Sequence, residues 1–218
     1  MPDIIFNGPA GRLEGRYQPA KTPQAPVALI LHPHPLYGGS MNNKVTYHLF
    51  QAFARRGFST MRFNFRGVGR SEGKFDGGPG EMSDAASALD WLQTYNPNAP
   101  EFWIAGFSFG AWISMQLLMR RPEIAGFISV APPASMYDFT FLAPCPSSGL
   151  IVHGSEDQVV PEAAAAKLAD RLSHQRGIKV DYELIDGANH FFESRIDELM
   201  EAVEAYLDKR LNTVAAAQ

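Results

Sequence analysis

The stretch that most constrains this chain is Gly106-Phe107-Ser108-Phe109-Gly110. Before it, Glu101-Phe102-Trp103-Ile104-Ala105 has the length and apolar character of a buried strand. After it, Phe109 to Met119 is almost continuously apolar and stops at Arg120-Arg121-Pro122, the pattern of a buried helix with a proline stop. A serine in a tight strand-to-helix turn, with glycine two residues away on each side, predicts a strained elbow that lifts the hydroxyl clear of the sheet. The free N–H groups of the new helix converge on the same point. An ordinary glycine-containing turn would share the five residues, so the rest of the chain has to decide between the two.

The remaining segments alternate strands and helices. Residues 4–6 and 12–17 read as a leading antiparallel hairpin around Asn7-Gly8-Pro9-Ala10-Gly11. Val27 to Leu31 is wholly apolar, as a parallel strand buried on both faces must be. It runs into His32-Pro33-His34-Pro35-Leu36-Tyr37-Gly38-Gly39-Ser40, expected to be a rigid loop without helix. Asn42 or Asn43 can cap the next helix, which ends at Gly57. Strands are expected at 58–65, 124–130, 150–152 and 180–185, with helices from about Glu81 to Asn96-Pro97 and from Pro161. A last helix carries Phe192, Ile196, Leu199, Met200, Val203 and Leu207 at helical spacing. This order predicts an α/β fold in one domain over 1–212: a mostly parallel sheet with helices on both faces and a frayed tail at 213–218.

Composition narrows the function classes. Nineteen basic residues against 23 acidic ones, with no basic stripe, argue against a nucleic-acid partner. No apolar run reaches membrane-spanning length, and Met1-Pro2-Asp3-Ile4 shows no secretory pattern, so the cytoplasm is the expected compartment. Cys145 is the single cysteine and cannot form an internal disulfide. His32 and His34 have the spacing of a metal pair but no third ligand nearby, and neither a metal nor another cofactor is expected. Gly67-Val68-Gly69 misses a dinucleotide fingerprint by one residue, since the third glycine is Gly73.

Three side chains fall after strand ends, where parallel sheets gather functional groups: Ser108, Asp157 and His190. Asp157 lies in His153-Gly154-Ser155-Glu156-Asp157-Gln158-Val159-Val160-Pro161, and His190 in Asp186-Gly187-Ala188-Asn189-His190. With Gly-Phe-Ser108-Phe-Gly and Arg66-Gly67-Val68-Gly69-Arg70-Ser71, these segments resemble the α/β-hydrolase superfamily over nearly the whole chain, in its order serine, acid, histidine. The run His32 to Met41 is similar to small, lidless serine hydrolases of the dienelactone-hydrolase-like group. Dienelactone hydrolases proper carry cysteine where Ser108 stands, so the resemblance implies the fold without implying that substrate.

The resemblance implies a serine hydrolase in which Ser108 is the nucleophile, His190 its base and Asp157 the acid that orients His190. Glu156 and Asp186 are the rival acids. Phe109 is expected to give one backbone N–H to an oxyanion, and Leu36 or Tyr37 the second. The expected partner is a small carboxylic ester with a short acyl chain. A thioesterase, a small-peptide amidase or a non-catalytic binding protein of the same fold are the alternatives. The basis for short chains is residues 132–148, with four prolines and no helical period, too short to make a lid. Met136, Tyr137, Phe139 and Phe141 in that segment are candidates for an apolar wall.

Overall fold

The computed structural model describes residues 3–215. Strands β1 (Asp3–Gly8) and β2 (Gly11–Gln18) form the antiparallel hairpin. They are followed by β3 (Val27–Leu31), α1 (Lys44–Arg55), β4 (Ser59–Phe63), α2 (Pro79–Tyr95), β5 (Phe102–Phe107) and α3 (Phe109–Leu118). The chain then runs through β6 (Ile124–Val130), β7 (Gly149–Gly154), α4 (Glu162–Ser173), β8 (Val180–Ile185) and α5 (Ile196–Ala215). One eight-stranded sheet results, in the order β1-β2-β4-β3-β5-β6-β7-β8. The hairpin joins it through an antiparallel β2–β4 pair, and every later pair is parallel.

The unbroken apolar runs follow from helices covering both faces. On β3, Val27, Leu29 and Leu31 enter the core shared with α2, α3 and α4, while Ala28 and Ile30 enter the core shared with α1 and α5. Strand β5 alternates likewise, with Phe102 and Ile104 on the first side and Trp103, Ala105 and Phe107 on the second. A polar residue at any of these positions would forfeit roughly 1.5–3 kcal/mol of burial and add a desolvation cost. Asn43 caps α1 as expected, accepting from the N–H groups of Val45 (3.0 Å) and Thr46 (3.3 Å).

Some local expectations are corrected. The loop after β3 contains a 3-10 turn at Pro35–Tyr37. Proline fits its first position, and the Tyr37 N–H closes the turn on the His34 carbonyl at 3.1 Å. Pro161 caps α4 from outside and is not its first residue. Phe192 precedes α5; it is fully buried in a left-handed backbone conformation (φ 53°) that no helix can contain. Helix α5 continues through Ala215, so residues 213–215 of the expected tail are helical, and 216–218 lie outside the described residues. The connection from β6 to β7 carries no helix, so that segment contributes no helical lid over the carboxyl ends of the strands. Among the described residues no helix is long and apolar enough to cross a membrane.

Candidate active site

Ser108 sits between β5 and α3 with φ 53° and ψ −118°, outside the conformations that L-residues ordinarily adopt. Its N–H donates to Val130 O at 2.9 Å, and its carbonyl accepts from the N–H groups of Ala111 (2.8 Å) and Trp112 (3.2 Å). Strand and helix approach so closely that the glycines are obligatory. A Cβ on Gly106 would lie 2.6 Å from Ala111 N and closer still to the Gly110 carbonyl. One on Gly110 would lie 2.5 Å from His32 O and closer still to Leu31 O. Every one of those atoms is backbone and has no rotamer to escape into.

The ends of β7 and β8 bring the other two side chains to the same rim. His190 Nε2 lies 3.0 Å from Ser108 Oγ, and His190 Nδ1 lies 2.7 Å from Asp157 Oδ2. The second oxygen of Asp157 accepts from the N–H groups of Val159 and Val160, both at 2.8 Å. Burial opposes the ionisation of Asp157, but the bonds from His190 and from the two N–H groups outweigh it and hold the carboxyl below the usual carboxylate range. With an acceptor at Nδ1, the neutral imidazole carries its proton there and turns the Nε2 lone pair to the serine. The rival acids stand apart. Glu156 and Asp186 are both exposed, and Asp186 accepts from Ser155 Oγ at 3.3 Å in the turn after β8.

Ser108 and His190 open into a cleft of about 670 Å³ walled by Pro33, His34, Phe109, Met136, Tyr137 and Phe191. None of the residues lining it is Asp, Glu, Lys or Arg. Of the candidate wall residues Met136, Tyr137, Phe139 and Phe141, the first two line the cleft, whereas Phe139 is buried and Phe141 packs against the core. Phe107, Phe109 and Phe192 are buried, Phe109 at the floor of the cleft, while Phe191 is exposed beside it.

The backbone donors need one revision. Phe109 opens α3, and among the described residues its N–H has no acceptor. The N–H of Leu36 is already donated to His34 Nδ1 (3.2 Å) and that of Tyr37 to His34 O (3.1 Å), so neither is free for an oxyanion. The N–H of His34 itself, beside Pro33 on the cleft wall, has no acceptor among the described residues. No pattern in the sequence separates it from its neighbours, because the competing bonds come from its own ring and carbonyl. His32 is fully buried with both ring nitrogens engaged, Nδ1 with Pro33 O (2.6 Å) and Nε2 with the Phe65 N–H (3.0 Å). It ties this loop to the segment that follows β4 and stands as a structural imidazole, pushed down to about 3 by burial.

The model of the X-Pro dipeptidyl-peptidase (S15) family matches residues 16–212. The chain is 54% identical over 211 residues to an uncharacterized protein of Rickettsia prowazekii (strain Madrid E), covering 95% of this chain and 89% of that one. Among solved structures, a protein of unknown function from Agrobacterium tumefaciens is 61% identical, with a TM-score of 0.96 and 97% of each chain covered. A lidless α/β serine hydrolase from Xanthomonas campestris is 30% identical, with a TM-score of 0.85 over 95% of this chain and 94% of that one. With its open strand ends, its elbow and its serine, histidine and aspartate on one rim, the chain belongs to the X-Pro dipeptidyl-peptidase (S15) family of α/β-hydrolases.

Proposed function

We propose that this hydrolase cleaves small, uncharged carboxylic esters through an acyl-enzyme. The observation that carries the reading is the continuous path from Ser108 Oγ through His190 to Asp157, opening into an apolar cleft without a charged wall. Ser108 Oγ attacks the ester carbon while His190 Nε2 takes the hydroxyl proton. Asp157 stays ionised and stabilises the imidazolium through Nδ1–H. The N–H groups of Phe109 and His34 bind the oxygen that becomes negative. Collapse of the tetrahedral adduct breaks the bond to the alcohol, which leaves with the proton from His190. A water molecule, activated by the same imidazole, then attacks the acyl carbon and frees the acid and Ser108.

The family description raises a peptidase reading, which makes a specific demand. A dipeptidyl-peptidase takes a substrate with a free α-ammonium group, and a cation held against an apolar wall needs a carboxylate partner. The lining offers none. An ester of a neutral acid makes no such demand, and each methylene it lays on Met136, Tyr137 or Phe191 contributes about 0.8 kcal/mol. The test is a panel of p-nitrophenyl esters, an acyl thioester and an X-Pro anilide, assayed on wild type and Ser108→Ala. Short esters should be cleaved, Ser108→Ala should be inactive on all of them, and the anilide should be turned over at least about 100-fold more slowly. Preference for the X-Pro anilide would overturn the reading.

A further inference from the structure

His153 is the penultimate residue of β7, where Leu150, Ile151 and Val152 are buried core residues. It too is completely buried, and its Nδ1 has no hydrogen-bond partner among the described residues. As a core side chain it is a poor choice, because a leucine or phenylalanine there would leave no orphaned polar atom. Its other nitrogen accounts for it. Nε2 lies 3.0 Å from the carbonyl of Val160, an acceptor only, so the proton resides on Nε2 and the imidazole donates. The same nitrogen is 3.5 Å from Asp157 Oδ2, outside good hydrogen-bond range.

The turn between Asp157 and Val160 is thus closed at both ends. The N–H groups of Val159 and Val160 grip Asp157 Oδ1, and His153 grips the carbonyl of Val160. With Oδ1 fixed, Oδ2 has one direction left, toward His190 Nδ1 at 2.7 Å. We propose that His153 is a positioning residue for the reaction, clamping the 157–160 turn so that the Asp157 carboxylate stays aligned on His190. This proposal rests on the serine-hydrolase reading of Ser108, His190 and Asp157. The titratable groups facing His153 are Asp157, His190 and, on α4, Glu162. Burial depresses the basicity of His153, so it acts as a neutral donor and its contact with Asp157 is a dipole on a charge.

Two substitutions of similar length separate alignment from packing. His153→Gln keeps an N–H donor that can reach Val160 O; His153→Met fills similar space without one. The measurement is kcat and KM for a short p-nitrophenyl ester, per active site titrated with a fluorophosphonate. For His153→Met we expect a loss of about tenfold in kcat with KM within threefold of wild type, since a slack carboxylate misaligns the base without changing the ester's contacts. His153→Gln should stay within threefold of wild type in both. If His153→Met does not fold, His153→Phe serves as the donor-free variant. Equal behaviour of the donor-free and donor variants overturns the proposal, as does a loss confined to KM. Failure of the wild type to titrate would fault the serine-hydrolase reading itself and not the clamp.

Discussion

Substitution of Gly110 by alanine tests whether the elbow is held by backbone contact. The added Cβ would lie 2.5 Å from His32 O, about 0.9 Å short of ordinary contact, which begins at 3.4 Å. Its other close neighbour is Leu31 O, so the obstruction is the end of the central strand β3 on both counts. Overpacking against side chains costs roughly 1–3 kcal/mol, and fixed backbone puts this site at the upper end, ~3 kcal/mol. Alanine returns about 1 kcal/mol through helix propensity, because position 110 lies in the first turn of α3. The net loss is then ~2 kcal/mol, or about 4–8 °C in Tm for a chain of this size. The first turn of α3 must also lift by most of an ångström and carry Ser108 Oγ with it, which costs about 100-fold in turnover. Gly57→Ala is the control: Gly57 has φ +83° and nothing within 4 Å, so only the left-handed penalty of about 1–2 kcal/mol applies and activity is kept. Urea melts and kcat/KM on both variants decide. A Gly110→Ala protein as stable as wild type and within threefold of its activity would refute the argument from backbone contact.

Other predictions concern the acid, the substrate and pH. Asp157→Asn should lower kcat by several orders of magnitude, about 10⁴-fold in the comparable serine-protease case. Asp186→Asn, altering an exposed turn, should cost less than tenfold; the reverse ranking in steady-state assays would reassign the acid. Across p-nitrophenyl esters, kcat/KM should peak at about two to six acyl carbons, since each further methylene left in water forfeits ~0.8 kcal/mol. A maximum at ten or more carbons would contradict the open cleft. Stability should fall on acidification below about pH 6.5: unfolded His32 binds a proton there, while the folded residue resists until about pH 3. Asp157, with its depressed folded value, adds the same sign at lower pH, its contribution being lost as pH falls through that value. Urea melts at pH 7.5 and 5.0 should differ by ~2 kcal/mol, and a protein more stable at pH 5.0 would contradict a buried neutral His32.

The parts of the fold legible in sequence are those governed by local pattern. Val27 to Leu31 reads as a doubly covered strand because each of its side chains meets a core on one face or the other. The serine elbow reads from Gly106 and Gly110 because only glycine survives the approach of strand and helix. Ser108, Asp157 and His190 could be brought to one rim because parallel strands all end on the same edge. What escaped is set by tertiary hydrogen bonds that leave no period. The His34 ring and carbonyl absorb the N–H groups of Leu36 and Tyr37, an outcome that two prolines and a histidine do not encode in their spacing. Phe192 matches a helical repeat yet stands outside α5, because the turn after His190 takes it through a left-handed conformation. His153 sits in a segment singled out for Asp157, and its bond to Val160 emerges only when the turn folds back on β7.

The proposed reaction requires Ser108 to be an activated nucleophile at neutral pH. Reaction with a fluorophosphonate, followed by intact mass and peptide mapping, tests it most directly. One adduct should form, on Ser108, and Ser108→Ala should remain unmodified. Folded wild-type protein that stays unmodified beside a reactive control hydrolase, or an adduct that persists in Ser108→Ala, would contradict it.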